Sequence, residues 1–267
     1  MKFKKIRSFI GKFFSEKAQM HFLIFSSKFF WNLRKYFLGV EIKYPKDFKE
    51  NWRLIKSFSS QDKERNFTLY QLINMHNKIF KERETNIIEF GTDRGGTLTT
   101  ISKFIKKDSK IFAVDSFGLF ADEIKKNISN FDEHYQGTYK PFTKETRFRD
   151  FNYRNLENQL NEILSKKNSK LEIFAAFFPK LKSEQLKKIE DLKFSFVHLD
   201  FDLYQPTIDC FTFLKDRLEQ NAIILVDDFN FINQEGVQKA INDLKIDLSE
   251  GFQTQSGQLI LFNKFVV

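Results

Sequence analysis

From residue 86 onward, short apolar runs alternate with segments whose apolar residues recur at helical spacing. The runs are "NIIEF" (86–90), "KIFAVD" (110–115), "LEIFAAF" (171–177), "FSFVHLD" (194–200) and "AIILVDD" (222–228). Each is nearly continuous in its apolar character, as a strand covered on both faces requires. Helical spacing predicts a helix over 67–83 leading into the first strand. Others follow the strands: one to about Lys106, then 155–166, 183–190, 206–219 and 234–245. The final stretch "FQTQSGQLILFNKF" reads as a hairpin around Ser256-Gly257,. Strands separated by helices predict an α/β fold: a doubly wound, mostly parallel sheet with an antiparallel C-terminal hairpin strand. No internal repeat or low-complexity tract interrupts the pattern.

The first 60 residues are patterned differently. Phe3, Ile6, Ile10, Phe13 and Phe14, then "HFLIFSSKFFWNLRKYFLG", have helix-like spacing, with Gly39 as a stop,. The chain therefore divides into an N-terminal helical segment, 1–65, and a main domain, 66–267. Charge sharpens that division. The 267 residues carry a net +9. Residues 1–65 hold 16 Lys+Arg against 6 Asp+Glu, while the remainder hold 28 against 29. The excess sits outside the main domain, which argues against a nucleic-acid partner there. Three readings of the basic segment stay open: a helical cap or oligomer arm, an amphipathic helix on a membrane surface through residues 1–40, and a disordered tail. It lacks an unbroken apolar core and a small-residue cleavage site, so no signal peptide is expected. No window of 18 uninterrupted apolar residues predicts a transmembrane helix,. Cys210 is the one cysteine, which excludes a disulfide framework and fits a reducing, cytoplasmic setting, with the inner membrane surface as a variant,.

Two places carry candidate chemistry. The first strand continues as "IIEFGTDRGGTLTTISKFI". Gly91, Gly95 and Gly96 stand where a backbone can approach a ligand or a helix can pack closely. The G-x-x-x-G-G spacing is neither the dinucleotide fingerprint nor a P-loop. Asp115 ends the second strand, 24 residues after Gly91. An acid there can accept hydrogen bonds from both ribose hydroxyls of a nucleoside; otherwise it is a solvated strand end. A nucleoside ligand without a diphosphate suits the pair, and S-adenosylmethionine fits that description.

The second place is two later strands that run out into acid: Asp200 and Asp202 in "FVHLDFDLY", Asp227 and Asp228 in "AIILVDD". Ligands of open α/β sheets bind outside the carboxyl ends of strands. If the two strands are neighbours, their acids meet and repel unless a cation neutralises them. Oxygen ligands favour Mg²⁺, with Mn²⁺ or Ca²⁺ as alternatives; helix caps and solvated loop acids are the plainer reading. Asp200 and Asp202 are two residues apart and face one side if the chain stays extended. One can then hold a metal while the other takes a proton from a hydroxyl.

These elements, with "VDSFG" and "FFPKL", in this order and spacing, resemble the macrocin O-methyltransferase (TylF-like) family over residues 66–265. The resemblance implies a Rossmann-like class I methyltransferase fold and an S-adenosylmethionine- and Mg²⁺-dependent enzyme that methylates sugar hydroxyls. It implies Asp200, Asp227 and Asp228 as metal ligands and Asp202 as general base. It implies Glu89, Gly91, Gly95, Asp115 and Ser116 at the cofactor. Expected acceptors are nucleotide-linked, surface-polysaccharide or natural-product sugars. N-terminal helices often make subunit contacts in such families, which favours a homo-oligomer. The chain departs from the family pattern at "DSFGLF", one acidic residue short, and at "AAFFP", where Ala replaces a usual glycine. Both departures bear on which acceptor fits.

Residues 118–154, rich in aromatics and charges, are expected to form a lid, with His134, Tyr135 and Tyr139 as candidate sugar contacts,. His198 reads as a satisfied strand histidine and Cys210 as core. Tyr204 either lines the acceptor pocket or braces the loop. Arg94 has a cofactor carboxylate or the acceptor as possible partners. Two rival functions stand beside the main one: a methyltransferase for catechol-like phenols, and a non-catalytic membrane-associated scaffold for envelope assembly. A nucleic-acid methyltransferase is disfavoured by the charge division and by the absence of an N/D-P-P-Y/F element.

Overall fold

Five parallel strands are extended on one side by an antiparallel pair, in the order β3-β2-β1-β4-β5-β7-β6. The computed structural model describes residues 43–81, 83–132, 147–230, 235–249 and 251–263. The chain divides into two compact units, Met1–Pro45 and Lys46–Val267. The second holds the sheet. Its strands are β1 (Thr85–Phe90), β2 (Ser109–Asp115), β3 (Lys170–Ala175), β4 (Phe194–Leu199), β5 (Leu218–Val226), β6 (Phe252–Gln253) and β7 (Leu259–Phe262). Its helices are α1 (Lys46–Phe58), α2 (Lys63–Ile79), α3 (Gly96–Phe104), α4 (Ala121–Lys126), α5 (Tyr153–Ser165), α6 (Ser183–Leu186), α7 (Tyr204–Leu214) and α8 (Glu235–Asp243). This is the doubly wound, mostly parallel α/β sheet with a closing antiparallel hairpin that the apolar pattern predicts. The expected N-terminal helices and the side chains of His134, Tyr135 and Tyr139 lie outside the described residues. Among the described residues no helix is long and apolar enough to cross a membrane.

The period of two along each strand sorts the core into two layers. Ile88, Phe90, Val114, Val197 and Ile224 pack on one face with Phe211 and Leu214 of α7 and Val237 and Ile241 of α8. Ile87, Ile111, Phe196, Ile223 and Leu225 pack on the other with α2, α3 and α5. Each fully buried Leu, Ile or Phe contributes about 1.5–3 kcal/mol. The strand order reverses between β1 and β4, which leaves a crevice at their carboxyl ends,.

Four boundaries differ from the sequence pattern. The compact unit starts at Lys46 rather than at residue 66, because α1 and α2 pack against α3. α2 starts at Lys63, since the Asp62 side chain accepts from Arg65 N and caps it,. α7 ends at Leu214 instead of running to 219. Leu218 already pairs with Phe194, and the next partners are Phe196 and Ile223, so a bulge in β5 takes up the extra residues,. Asn221 sits in that bulge at φ +65. The helix expected over 183–190 shrinks to α6 followed by turns.

Candidate active site

The turn after β1 is built on a close approach. Gly91 has φ +84, and a Cβ there would stand 2.0 Å from the carbonyl oxygen of Asp200. The missing side chain lets the turn press against the end of β4. Asp115 then clasps it. Its Oδ2 accepts from Thr92 N and Asp93 N, both at 2.7 Å, and its Oδ1 from Phe117 N at 2.6 Å. Burial still raises the Asp115 pKa to about 6, against the pull of those donors,. One Oδ1 lone pair is left for a ligand hydroxyl by this count. Gly95, at φ +90, caps α3 and packs against Leu156, a helix-packing role.

The ends of β4 and β5 bring the acids together. Asp200 N donates to Phe90 O and Asp227 N to Leu199 O, which locks the three strand ends. Carboxylate oxygens of Asp200, Asp202 and Asp228 lie within 4.8 Å of one another. Asp202 reaches this cluster by a different route from the one its spacing predicts. It has φ +60, so the chain is no longer extended there and the period of two does not apply. Burial and the neighbouring Asp227 charge hold Asp200 well above the ordinary carboxylate pKa. Burial raises Asp227 to about 6.

Two residues from the segment expected to be an arm reach this cluster, and one of them, Arg65, brings a charge of opposite sign. Arg65 Nη1 stands 3.1 Å from Asp227 Oδ1 and 2.8 Å from Asp228 Oδ1, and its Nε donates to Ser256 O at 3.1 Å. Burial disfavours the guanidinium charge, but Asp227, Asp228 and Asp200 outweigh it and hold the pKa above its usual value. The Gln61 amide donates to Asp200 Oδ2 at 3.0 Å and to Asp227 Oδ2. At the rim, Arg147 pairs with Asp93, which also accepts from Ser60 Oγ at 3.0 Å. Sequence reasoning missed Gln61, Arg65 and the Asp93–Arg147 pair. The signal available was the Asp62 cap, which starts α2 early enough to aim Arg65 at the strand ends.

A cavity of about 350 Å³ joins the two places. Gly91, Asp115 and Ser116 line one part; Asp200, Asp202 and Asp228 line another. Glu89 is fully buried beside His198 and does not line it, nor do Gly95 and Asp227. Tyr204 is answered as a brace: its hydroxyl donates to Asp243 at 2.9 Å, and its backbone N donates to the buried Asp132. Arg94 is exposed and lies over the Phe151 ring. Cys210 is core, its thiol pKa raised by burial. From the expected lid, Arg147 and Phe148 reach the cavity wall.

The donor set suits a divalent cation. Several half-buried or buried oxygen donors converge, and a second group of ligand atoms, from His198, Asp200 and Asp227, also lies within 4.8 Å. His198 Nε2 is buried with no hydrogen-bond partner among the described residues. The cavity suits a nucleoside-bearing cofactor in that an apolar wall, including Phe177 and Phe178, faces the Asp115 turn,.

A parallel sheet of this order, with a glycine turn and an acid at the first two strand ends, is a Rossmann-like α/β sheet,. A solved structure shares the fold. The calicheamicin methyltransferase CalS11 matches at 15% identity over 84% of this chain and 95% of its own, with a TM-score of 0.52. The O-methyltransferase NovP matches at 15% identity over 74% of this chain and 78% of its own, with a TM-score of 0.48. TomG from Streptomyces achromogenes, solved in complex with S-adenosylmethionine, matches at 12% identity over 86% of this chain and 96% of its own, with a TM-score of 0.46. A search of the curated proteins gives no match. The family model for macrocin-O-methyltransferase (TylF) matches residues 64–249, and the chain belongs to that family. It is an S-adenosylmethionine-dependent O-methyltransferase.

Proposed function

We propose that this enzyme methylates a sugar hydroxyl, with a divalent cation at the acidic cluster and Asp202 as general base. One observation supports it above the others: a single cavity opens on both the Asp115 turn and the Asp200–Asp202–Asp228 cluster. Asp200, Asp227 and Asp228 are the expected ligands, with Mg²⁺ or Mn²⁺ the expected ion. When bound, such an ion lowers the pKa of a hydroxyl it holds. Asp202, on the cavity wall, accepts the hydroxyl proton as the oxygen takes the methyl group and the sulfonium sulfur keeps the electron pair of the broken bond. Gly91, Asp115 and Ser116 hold the nucleoside, and Phe177, Phe178 and Pro206 exclude water, so orientation supplies much of the rate,. The sugar acceptor is the class the family resemblance implies. The basic segment 1–65 is read as an arm for subunit contact, with a membrane-surface contact through residues 1–40 as the alternative.

The test is incubation with S-adenosylmethionine, Mg²⁺ and a panel of nucleotide sugars, oligosaccharides and catechols, read by mass spectrometry. A sugar gaining one methyl group, with activity lost in EDTA and restored by Mg²⁺ or Mn²⁺, is expected. Methylation of catechols alone overturns the acceptor reading. Activity insensitive to EDTA overturns the metal reading.

A further inference from the structure

Asp132 belongs to no motif in the sequence, yet it is buried to 2% exposure where three elements meet. Its Oδ2 accepts from Ser129 N at 2.7 Å and from Ser129 Oγ at 2.6 Å, which closes the turn after α4. Its Oδ1 accepts from Tyr204 N, the first amide of α7, at 2.9 Å. A helix start needs such an acceptor, because its first amides have no partner within the helix. α7 does not supply one locally: Leu203 stands at the cap and makes no side-chain cap bond. Gly236 of α8 keeps the place open, since a Cβ there would stand 1.9 Å from Asp132 Oδ1. Asp202 lies two residues before Tyr204 at φ +60, and a residue in that region persists only where its surroundings hold it,. One hold is Asp200 N on Phe90 O at 2.8 Å; the other is Tyr204 N on Asp132.

We propose that Asp132 is a positioning residue for the general base: by holding the start of α7 it fixes the left-handed turn that keeps Asp202 on the cavity wall. This rests on the reading of Asp202 as the base. Asp202, Leu203 and Pro206 all line the cavity, so the stretch that Asp132 anchors is cavity wall. Asp132 is not among the lining residues, so it acts through that stretch and not on the substrate. The same anchor ties in the segment before it. Ile124 of α4 lines the cavity, and the Phe131 ring packs on Tyr204 with centroids 5.1 Å apart. The turn after α4 and the start of α7 are thereby joined at one carboxylate, on the side of the cavity that holds the base.

The test compares kcat of the full chain with S-adenosylmethionine, Mg²⁺ and the acceptor that gains a methyl group in the panel above. Asp132→Ala is expected to lower kcat about 10–100-fold, the cost of a misplacement of about 1 Å. Calorimetry should find S-adenosylmethionine affinity unchanged, since Asp115 and Gly91 stand on other strand ends. Asp132→Asn, which keeps an oxygen for Tyr204 N, should recover most of the loss. In an Asp202→Asn background, Asp132→Ala should cost less than about twofold more, because a residue acting through the base has nothing left to position. An equal loss in both backgrounds means ordinary support of the fold and overturns this inference, as does wild-type kcat in Asp132→Ala. Gly236→Ala crowds Asp132 Oδ1 and should lower kcat in the same direction. It decides the question where Asp132→Ala does not fold, and wild-type kcat there overturns the inference too. Near-wild-type kcat in Asp202→Asn alone removes the base assignment instead, so the two failures are read from different variants.

Discussion

Arg65 and Asp228 meet at 2.8 Å, within a site where Arg65 is 8% exposed and Asp228 6%. The cation comes from the first turn of α2, the acids from strand ends more than 160 residues later. Removing the cation leaves buried carboxylates facing one another. Breaking a buried pair in this way costs about 3–5 kcal/mol. Arg65→Met is therefore expected to lower unfolding stability by that amount in urea titrations with chelator present. Divalent cation should return part of the loss. A change under about 1 kcal/mol, the range of exposed pairs, removes the neutralising role.

Gly91→Ala tests the close approach of the first turn to β4. The new Cβ would meet backbone, the Asp200 carbonyl oxygen at 2.0 Å, and backbone cannot swing aside as a side chain can. The φ of +84 adds strain of its own,. A loss of about 2–4 kcal/mol is expected, with weaker S-adenosylmethionine binding by calorimetry as the turn shifts. An unchanged melting temperature contradicts the packing described.

The sheet was legible because its information is local and periodic. Apolar runs and helical spacing mark β1 to β5, and Ser256-Gly257 marks the hairpin. Asp200, Asp227 and Asp228 were legible for a related reason: parallel strands end on one edge, so strand-end acids must gather there. What stayed hidden depends on long-range packing. Arg65 read as one more positive charge in a basic segment, although it is buried against Asp227. The bulge at Asn221 and the turned backbone at Asp202 follow from pairing between strands, which spacing within one strand cannot show.

Tyr204→Phe separates a brace from an acceptor contact. The hydroxyl bonds Asp243 of α8 and the ring packs on Phe131, away from the cavity wall. Loss of one such bond costs about 0.5–1.5 kcal/mol. Turnover and KM are expected to stay within about twofold of wild type, a difference under 0.5 kcal/mol. A tenfold rise in KM for the acceptor places the hydroxyl on the substrate instead.

Asp202→Asn keeps the shape of the cavity wall and removes the proton acceptor. General-base loss lowers kcat about 10²–10⁴-fold. Calorimetry should find S-adenosylmethionine affinity unchanged, because Asp115 and Gly91 stand on other strand ends. A kcat near wild type transfers the base role to another group.

Asp115 gives the protein a pH dependence of unusual sign. Its pKa is raised from 3.8 to about 6, so the native state holds a proton that the unfolded chain has released. The stabilising contribution is complete below about 3.8 and is lost as pH rises through about 6,. The difference corresponds to about 3 kcal/mol. Asp115→Asn does not titrate and serves as the reference. Urea titrations of the cofactor-free protein should show wild type losing up to about 3 kcal/mol relative to this variant between pH 4 and 7. Cofactor binding should move the opposite way. A nucleoside hydroxyl donates to the carboxylate form, so S-adenosylmethionine affinity should rise as pH passes 6 in wild type and stay flat in Asp115→Asn. A flat wild-type profile would mean that the three backbone donors from Thr92, Asp93 and Phe117 already keep the carboxylate ionised, and that the turn is clasped in its final form before the cofactor arrives.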